Sequence, residues 1–556
     1  MSQGLPLLDL APELIHACLL FLPLDDIASC LHAGSRLLTT LILNSPSIRY
    51  RIEQEEAGVE ENPYSSAFSG LDTSARLAAL RARERRWREF DPVSRHTIEY
   101  PTWPVLLYTI RAGLWLEARE AHGTGGSALA DSLSYIDMAP QAQPAVWHTV
   151  FSGTNFANFA TALEEHDLLV IFTVITCPDD ASMVSIDALM LTFSTGSPHP
   201  IAVLPKVHIT RRASNNPISD LNAEISGDLV ALAIYNEDEM YADTNCLYAF
   251  NWKSGNILLG PVVSTTFGLA FLSPRDLMIA SATENCLFIY SFSDSSSALV
   301  PTTARLWLPG VRPRTSISGP RMQCRRSPSP HNKLSHPQYY QAQFPPVPNS
   351  AHVFLSYETI DLDSDDREMH PFVLFPGYIL DVVQSIKEER DGNVDGGEVE
   401  IEWKTWGKTC TRWLEPQEVA GAWILASSGH RMVAYPPYDP VAPRDQPKRM
   451  KILDFNPYGV AALRSLVDNG PGAPANIGDH RRLVRTDSKA FQKNTPGFMH
   501  FDKRVRSDNQ YIEITVPETF TFDNVYLSEE FIVGRTLASG DTVGARGGVL
   551  EVLYFG

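Results

Sequence analysis

The sequence predicts an α+β multidomain chain, with a small all-α unit at the N-terminus and a large all-β region behind it. Three observations carry this. Helical periodicity is confined to roughly the first ninety residues, strand-like runs divided by turn residues fill the remainder, and one strand pair recurs at an offset of forty residues. The boundaries fall at residues 1–60 for the helical unit, 61–95 for a helical linker and 96–556 for the β region, with a proline-rich insertion at 309–350.

Composition narrows the class before any motif is read. The 556 residues carry 46 Lys+Arg against 65 Asp+Glu, a net −19, which argues against a general nucleic-acid binder because such proteins gain affinity by neutralising phosphates. With 44% apolar residues, every part of the chain can build a core. Seven cysteines with no paired CxxC, and no N-x-Ser/Thr sequon, point to a reducing compartment and so to a cytoplasmic or nuclear protein. The apolar runs Ala17–Leu24 and Leu169–Cys177 are far shorter than the ~18 residues of a membrane span, and Asp9 and Glu13 do not suit a secretory signal.

The N-terminal helices come in order. Pro12 suits a first helical turn, and Leu14, Ile15, Cys18, Leu19 and Leu22 follow on one stripe until Pro23 ends it. Asp25 and Asp26 are placed to cap a second helix bearing Ile27, Cys30 and Leu31, which Gly34 breaks. Leu37, Leu38, Leu41 and Ile42 repeat the stripe, and Ser45-Pro46 opens a fourth helix that runs to Gly58. A unit of this size cannot hide all those side chains within itself.

These residues resemble an F-box. The likeness lies in Leu10-Ala11-Pro12-Glu13-Leu14, in Leu19-Leu20-Phe21-Leu22-Pro23-Leu24-Asp25-Asp26-Ile27, and in Ser35-Arg36-Leu37-Leu38 with Leu41-Ile42. The opening departs by one residue from the usual Leu-Pro-Pro-Glu-Leu, and an aliphatic residue near Leu38 stands where a tryptophan is common. The continuation through Ile48, Ile52 and Gly58 to Asn62-Pro63 is similar to fungal F-box proteins whose helices precede a propeller-like region. The resemblance implies a linker-binding set of Leu10, Pro12, Leu14, Ile15, Leu19, Leu22, Pro23, Leu24, Ile27, Leu31, Leu37, Leu38, Leu41 and Ile42. It also implies a Skp-type linker as partner, and through it a cullin.

Residues Ser74–Phe90 read as a helix with Leu77, Leu80, Trp87 and Phe90 on one side and arginines at 76, 81, 83, 85, 86 and 88. The competing readings are a nuclear-localisation or RNA-contact patch and a solvated arginine face that seats Trp87 on the next domain. The acidic chain favours the second.

Beyond Asp91 the helical period disappears. Asn245–Phe250 recurs as Asn285–Tyr290, and each copy follows a run opening Asp-Leu, Asp228–Ala233 and Asp276–Ala280. Paired runs at 167–171 with 189–193, 431–435 with 451–455, and 531–533 with 550–555 keep the alternation. A forty-residue repeat of strand pairs fits a degenerate, WD-like β-propeller of six to eight blades, with a different all-β stack or sandwich as the alternative. Residues Pro309–Ser350 hold nine prolines, six Lys/Arg and no acid, the composition of a mobile or draped insertion, with Ser327 and Ser329 as proline-directed phosphorylation candidates. Glu388–Glu400 reads as an acidic hairpin loop, and Pro436–Lys448 and Val467–His480 as turn-rich excursions.

No nucleophile elbow, P-loop, HExxH or dinucleotide fingerprint is present, and Gly123–Gly126 lacks the Lys-Ser/Thr of a phosphate cradle. Cys246 and Cys286 occupy equivalent positions, where a small buried thiol is the ordinary explanation. Catalytic residues, cofactor and metal are therefore all expected to be none. The expected function is a substrate-recognition subunit of a Skp–cullin–F-box ubiquitin ligase that holds a client protein on its propeller and binds neither nucleic acid nor membrane. The alternatives are a propeller interaction scaffold with no link to ubiquitin and a propeller hydrolase.

Overall fold

The computed structural model describes residues 10–100, 105–120, 129–140, 145–214, 220–236, 245–263, 268–293, 302–324, 342–390, 398–415, 426–436, 446–468, 480–484, 499–503, 505–537 and 548–556. Four short helices lead: α1 (Pro12–Leu19), α2 (Leu24–His32), α3 (Arg36–Asn44) and α4 (Pro46–Ala57). Pro12 and Pro46 stand in first turns, and Ser35 and Ser45 accept from the Leu38 and Ile48 amides, so each start is encoded locally. Asp25 and Asp26 do not cap α2. They lie within its first turn behind Pro23, where their charge faces the positive end of the helix dipole.

Helix α5 (Thr73–Glu89), capped by Asp72, leads into β1 (Ser94–Tyr100). The chain then builds four-stranded antiparallel units in order. Unit 1 is β2 (Val105–Arg111), β3 (Leu114–Glu120), β4 (Ala130–Asp137) and the first half of β5 (His148–Ala162). The second half of β5 starts unit 2, with β6 (Leu168–Thr176), β7 (Met183–Thr192) and β8 (Lys206–Ala213). Unit 3 is β9 (Asp220–Ser226), β10 (Leu229–Tyr235), β11 (Cys246–Asn251) and β12 (Ile257–Val263). Unit 4 is β13 (Leu269–Phe271), β14 (Asp276–Ser281), β15 (Cys286–Ser291) and β16 (Thr302–Trp307). Unit 5 is β17 (Thr315–Cys324), β18 (Val353–Asp361), β19 (Arg367–Leu374) and, after β20 (Val399–Ile401) has paired in parallel with β16, β21 (Thr411–Trp413). Unit 6 is β22 (Ser427–Ser428), β23 (Arg431–Ala434) and β24 (Lys448–Asp454), with β25 (Arg481–Val484) on the outer side of β26 (Tyr511–Phe520). Unit 7 is β27 (Asn524–Leu527), β28 (Phe531–Leu537) and β29 (Gly548–Tyr554), and its fourth strand is β1, paired from Ser94 opposite Tyr554 to Tyr100 opposite Gly548.

The forty-residue repeat is the second and third strands of units 3 and 4. Cys246 and Cys286 each open the third strand, and burial pushes the Cys286 thiol up to about 12. Those strands are apolar on both sides because each unit is covered on both faces by its neighbours. Leu116 and Ile171 share the core between units 1 and 2, Val170 and Val230 that between 2 and 3, and Ala231 and Ile279 that between 3 and 4. The series continues with Leu306 and Leu355, with Phe354 and Leu453, and with Ile452 and Ile532, and Ile110 with Val552 then joins unit 7 to unit 1.

Three expectations are corrected. The helical period returns beyond Asp91, in α6 (Leu163–His166), α7 (Pro376–Arg390), α8 (Trp403–Cys410) and α9 (Pro457–Asp468). Ile379, Val383, Trp406 and Cys410 of α7 and α8 enter the core between units 4 and 5, so these helices replace what another strand pair would bury. The Pro309–Ser350 stretch is not simply draped. Its first part supplies β17, with Pro320 at a register shift between Ser318 and Arg321 where no ladder N–H is required, and its last part buries Phe344. The Ser327 and Ser329 candidates and Gly123–Gly126 lie outside the described residues. Finally, Glu388–Glu400 is not one hairpin loop, since Glu388 and Glu389 end α7 and Val399 begins β20.

Candidate docking surface and the junction beneath it

Ile15, Leu19, Ile27, Leu38 and Ile42, with Ile48, form the helical unit's own core and are at most 6% exposed. These five belong to the fold rather than to a docking surface, which corrects their place in the linker-binding set. Leu10, Leu22, Leu31 and Leu41 pack half-buried against that core, and Leu24 is half-buried. Pro12, Leu14, Pro23 and Leu37 are exposed, Leu14 at 55% and Leu37 at 40%. Two further side chains join them that periodicity did not single out, Phe21 at 87% and Leu43 at 53%. Phe21 follows α1 in a turn, outside any helical stripe, so its place in the F-box-like run Leu19–Ile27 was the available signal.

Covering such side chains stabilises a complex by roughly 25 cal/mol per Å² of apolar surface removed from water. A surface offering several of them on one small unit is suited to protein docking.

The unit is fastened to the β region through α4, α5 and the connection before β18. The Glu60 and Asn62 amides donate to the Pro345 and Gln343 carbonyls at 2.9 and 3.0 Å, and the Val347 amide donates to Gly58 at 3.0 Å. Phe68 meets Phe344 edge-to-face at 5.0 Å. Gly58 caps α4 at φ 64°, and a Cβ there would stand 2.4 Å from His430 Nε2, so both conformation and space require glycine. Asn456 Nδ2 donates to the Glu56 carbonyl at 2.6 Å.

Helix α5 is more than a solvated arginine face. Trp87 stacks on Phe555 at 4.1 Å and 17°, and Phe90 meets Phe520 and Phe555. Arg83 is buried and donates to the Glu84 carboxylate and to the Glu529 carbonyl. Arg431, from β23, also donates to Glu84, faces Asp454 at 3.6 Å and lies over the Trp87 ring. Burial opposes the charge on Glu84, but Arg431 and Arg83 outweigh it and hold the carboxyl below its ordinary range. Arg76 and Arg81 pair with Glu61 and Glu53, while Arg85 and Arg88 remain exposed.

Beside this junction, burial pushes the His352 imidazole down to about 3, helped by His430, and pushes His430 down to about 4, helped by Arg431. Between pH 6.5 and about 4 the unfolded chain binds protons at these two histidines that the folded chain does not, so stability rises with pH there and is lost on acidification. Unfolding free energy should fall by roughly 1.4 kcal/mol per histidine per pH unit below 6.5. In denaturation series at pH 7 and 5, a His352→Phe/His430→Phe variant should show a visibly flatter dependence than the parent, and an equal slope would refute this.

Among the described residues, no group of three or more His, Cys, Asp or Glu is placed to hold a metal, and no helix is long and apolar enough to cross a membrane. The Asp361–Asp366 acids make a hairpin turn, where Asp361 accepts from the Asp363 and Ser364 amides and Arg314 pairs with Asp363.

Antiparallel sheets of this order, each packed face to face on its neighbours in sequence, make up the β region, and it carries a small helical unit at its N-terminus. Among solved structures, the chain is similar to the WD40 domain of SCAP from fission yeast, at 7% identity and a TM-score of 0.33 over 83% of this chain and 95% of that one. A complex of KlAtg21 with the coiled-coil of AgAtg16 matches at 12% identity and a TM-score of 0.25 over 45% of this chain and 77% of that one. No protein-family model and no curated protein matches the chain.

Proposed function

We propose that the chain is the substrate-recognition subunit of a Skp–cullin–F-box ubiquitin ligase. The helical unit docks a Skp-type linker through Pro12, Leu14, Phe21, Pro23 and Leu37, and the β region, read as a closed ring of seven blades, holds a client protein. The chain contributes no catalytic group. It acts by raising the concentration of a client lysine near the ubiquitin-charged enzyme, as any tether does.

The observation that carries this reading is the combination of exposed Leu, Phe and Pro side chains on the helical unit with a hydrogen-bonded, aromatic junction that fixes the unit to the β region. A rigid junction is what a receptor needs to present a client at a set distance. The alternative, a propeller interaction scaffold with no link to ubiquitin, is favoured by the lack of any F-box family match.

The full chain should capture the Skp-type linker of its own organism, and Leu14→Asp/Leu37→Asp should weaken capture at least tenfold. Both positions face solvent, so the melting temperature should stay within a few degrees of the parent. Failure of the folded parent to bind the linker would leave the scaffold.

A further inference from the structure

A groove of about 500 Å³ opens between the α3–α4 corner and α5. Asn44, Pro46 and Arg49 stand on one side of it. The other side is one stripe of α5, in which Ser74, Ala78, Ala82 and Arg85, with Leu77 and Arg81 between them, recur at helical spacing. With a rise of ~1.5 Å per residue the stripe is about 16 Å long, roughly three turns of helix. The opposite side of α5 is already committed. Leu80, Arg83 and Trp87 are buried in the junction, whereas Ser74, Ala78, Arg81 and Arg85 are exposed.

Shape favours a helix as the occupant. Ser74, Ala78 and Ala82 are small, so a second helix can approach α5 to the ~8–10 Å at which packed axes lie. Neither α4 nor α5 has a free backbone edge that would pair with an extended strand, because a helix spends its backbone hydrogen bonds internally.

Charge selects the composition of that helix. The groove is lined by three arginines and by no carboxylate, in a chain of net −19. Arg49 makes no ion pair among the described residues. Arg81 is held by Glu53 and Arg85 lies 3.7 Å from Glu89, and both acids stand outside the groove. Screening limits the reach of each charge to about 8 Å at physiological salt, so a segment inside the groove meets these arginines rather than the acidic total. A nucleic acid or an anionic membrane spans far more of the surface and is repelled by it.

We propose that this groove binds an acidic α-helix of about three turns from a partner protein, its apolar side chains over Ala78 and Ala82 and its carboxylates on Arg49 and Arg85. The contact uses none of the side chains of the apolar docking surface and does not depend on the ubiquitin link.

Fluorescence anisotropy of the full chain tests it with a dye-labelled, helix-stapled peptide of Ala-Glu-Leu-Ala repeats, its counterpart with Lys for Glu, and an unstapled acidic form interrupted by Pro. The acidic helix should bind about tenfold more tightly than either of the others. Arg49→Gln/Arg85→Gln should weaken its binding about tenfold, and Ala78→Trp should remove it. Arg85 and Ala78 are exposed and Arg49 is half-buried, so the melting temperature of each variant should stay within a few degrees of the parent. Equal binding of the Glu and Lys peptides, binding that survives Arg49→Gln/Arg85→Gln, or no binding at all overturns the site. Equal binding of the Pro-interrupted peptide would reassign the groove to extended acidic segments, and self-association of the parent that Ala78→Trp abolishes would give it to a second copy of the chain; either result overturns the proposal. Linker capture by Ala78→Trp, measured in parallel, should equal the parent, so failure of this groove and failure of the ligase reading are read separately.

Discussion

Replacing Arg431 by methionine is expected to destabilise the protein by about 3–5 kcal/mol and to loosen the helical unit from the β region. Arg431 bridges Glu84 of α5 to Asp454 of β24, each side chain no more than 18% exposed, and its guanidinium covers Trp87. Methionine keeps much of the contact with the indole but leaves Asp454 without its cation and Glu84 with Arg83 alone. An uncompensated carboxylate in a buried site is the expensive result, more than the loss of the attraction itself. Urea denaturation should report the loss, and limited proteolysis should cut faster between α4 and α5. A change below about 1 kcal/mol would mean that water already screens these charges.

Aspartate at Ile98 should cost about 4 kcal/mol or more, the largest effect expected from any single position in β1. Ile98 is 2% exposed, faces Leu550 across the β1–β29 ladder and packs in the core that joins unit 7 to unit 1. A carboxylate there loses the transfer free energy of the isoleucine and has Trp115, Tyr526 and Phe531 for surroundings. Thr97, one residue earlier, points to solvent because side chains alternate along a strand, so Thr97→Lys opposite Glu551 should change stability by less than about 0.5 kcal/mol. If Ile98→Asp melts only the region of β1 and leaves units 2–6 cooperative, the closed-ring reading fails. Loss of the whole β region in one transition supports it.

The forty-residue repeat was legible because the second and third strands of each unit are covered on both faces. Such strands read as unbroken apolar runs, as in Leu229–Tyr235 and Cys286–Ser291. The N-terminal helices were legible through their ends, since Pro12, Ser35, Ser45, Pro46 and Gly58 each perform a capping role that depends only on neighbours in the chain. Helices α7 and α8 escaped because they interrupt a run of strands, and their apolar positions, among them Ile379, Val383 and Trp406, are those a strand-rich reading assigns to sheets.

Where the N-terminal helices start and stop, which runs of the forty-residue repeat are strands, and the acidic character of the chain were determined by the sequence alone, because periodicity, capping and charge act over a few residues. The tertiary structure decided everything that depends on distant partners. It paired β1 with β29 across some 450 residues, which no local pattern encodes. It also separated two neighbours on one helical stripe: Ile15 is buried against Leu38 and Ile42 while Leu14 is left in water. Periodicity places a side chain on a face, but only the element packed against that face determines whether it becomes core or remains a surface for another protein.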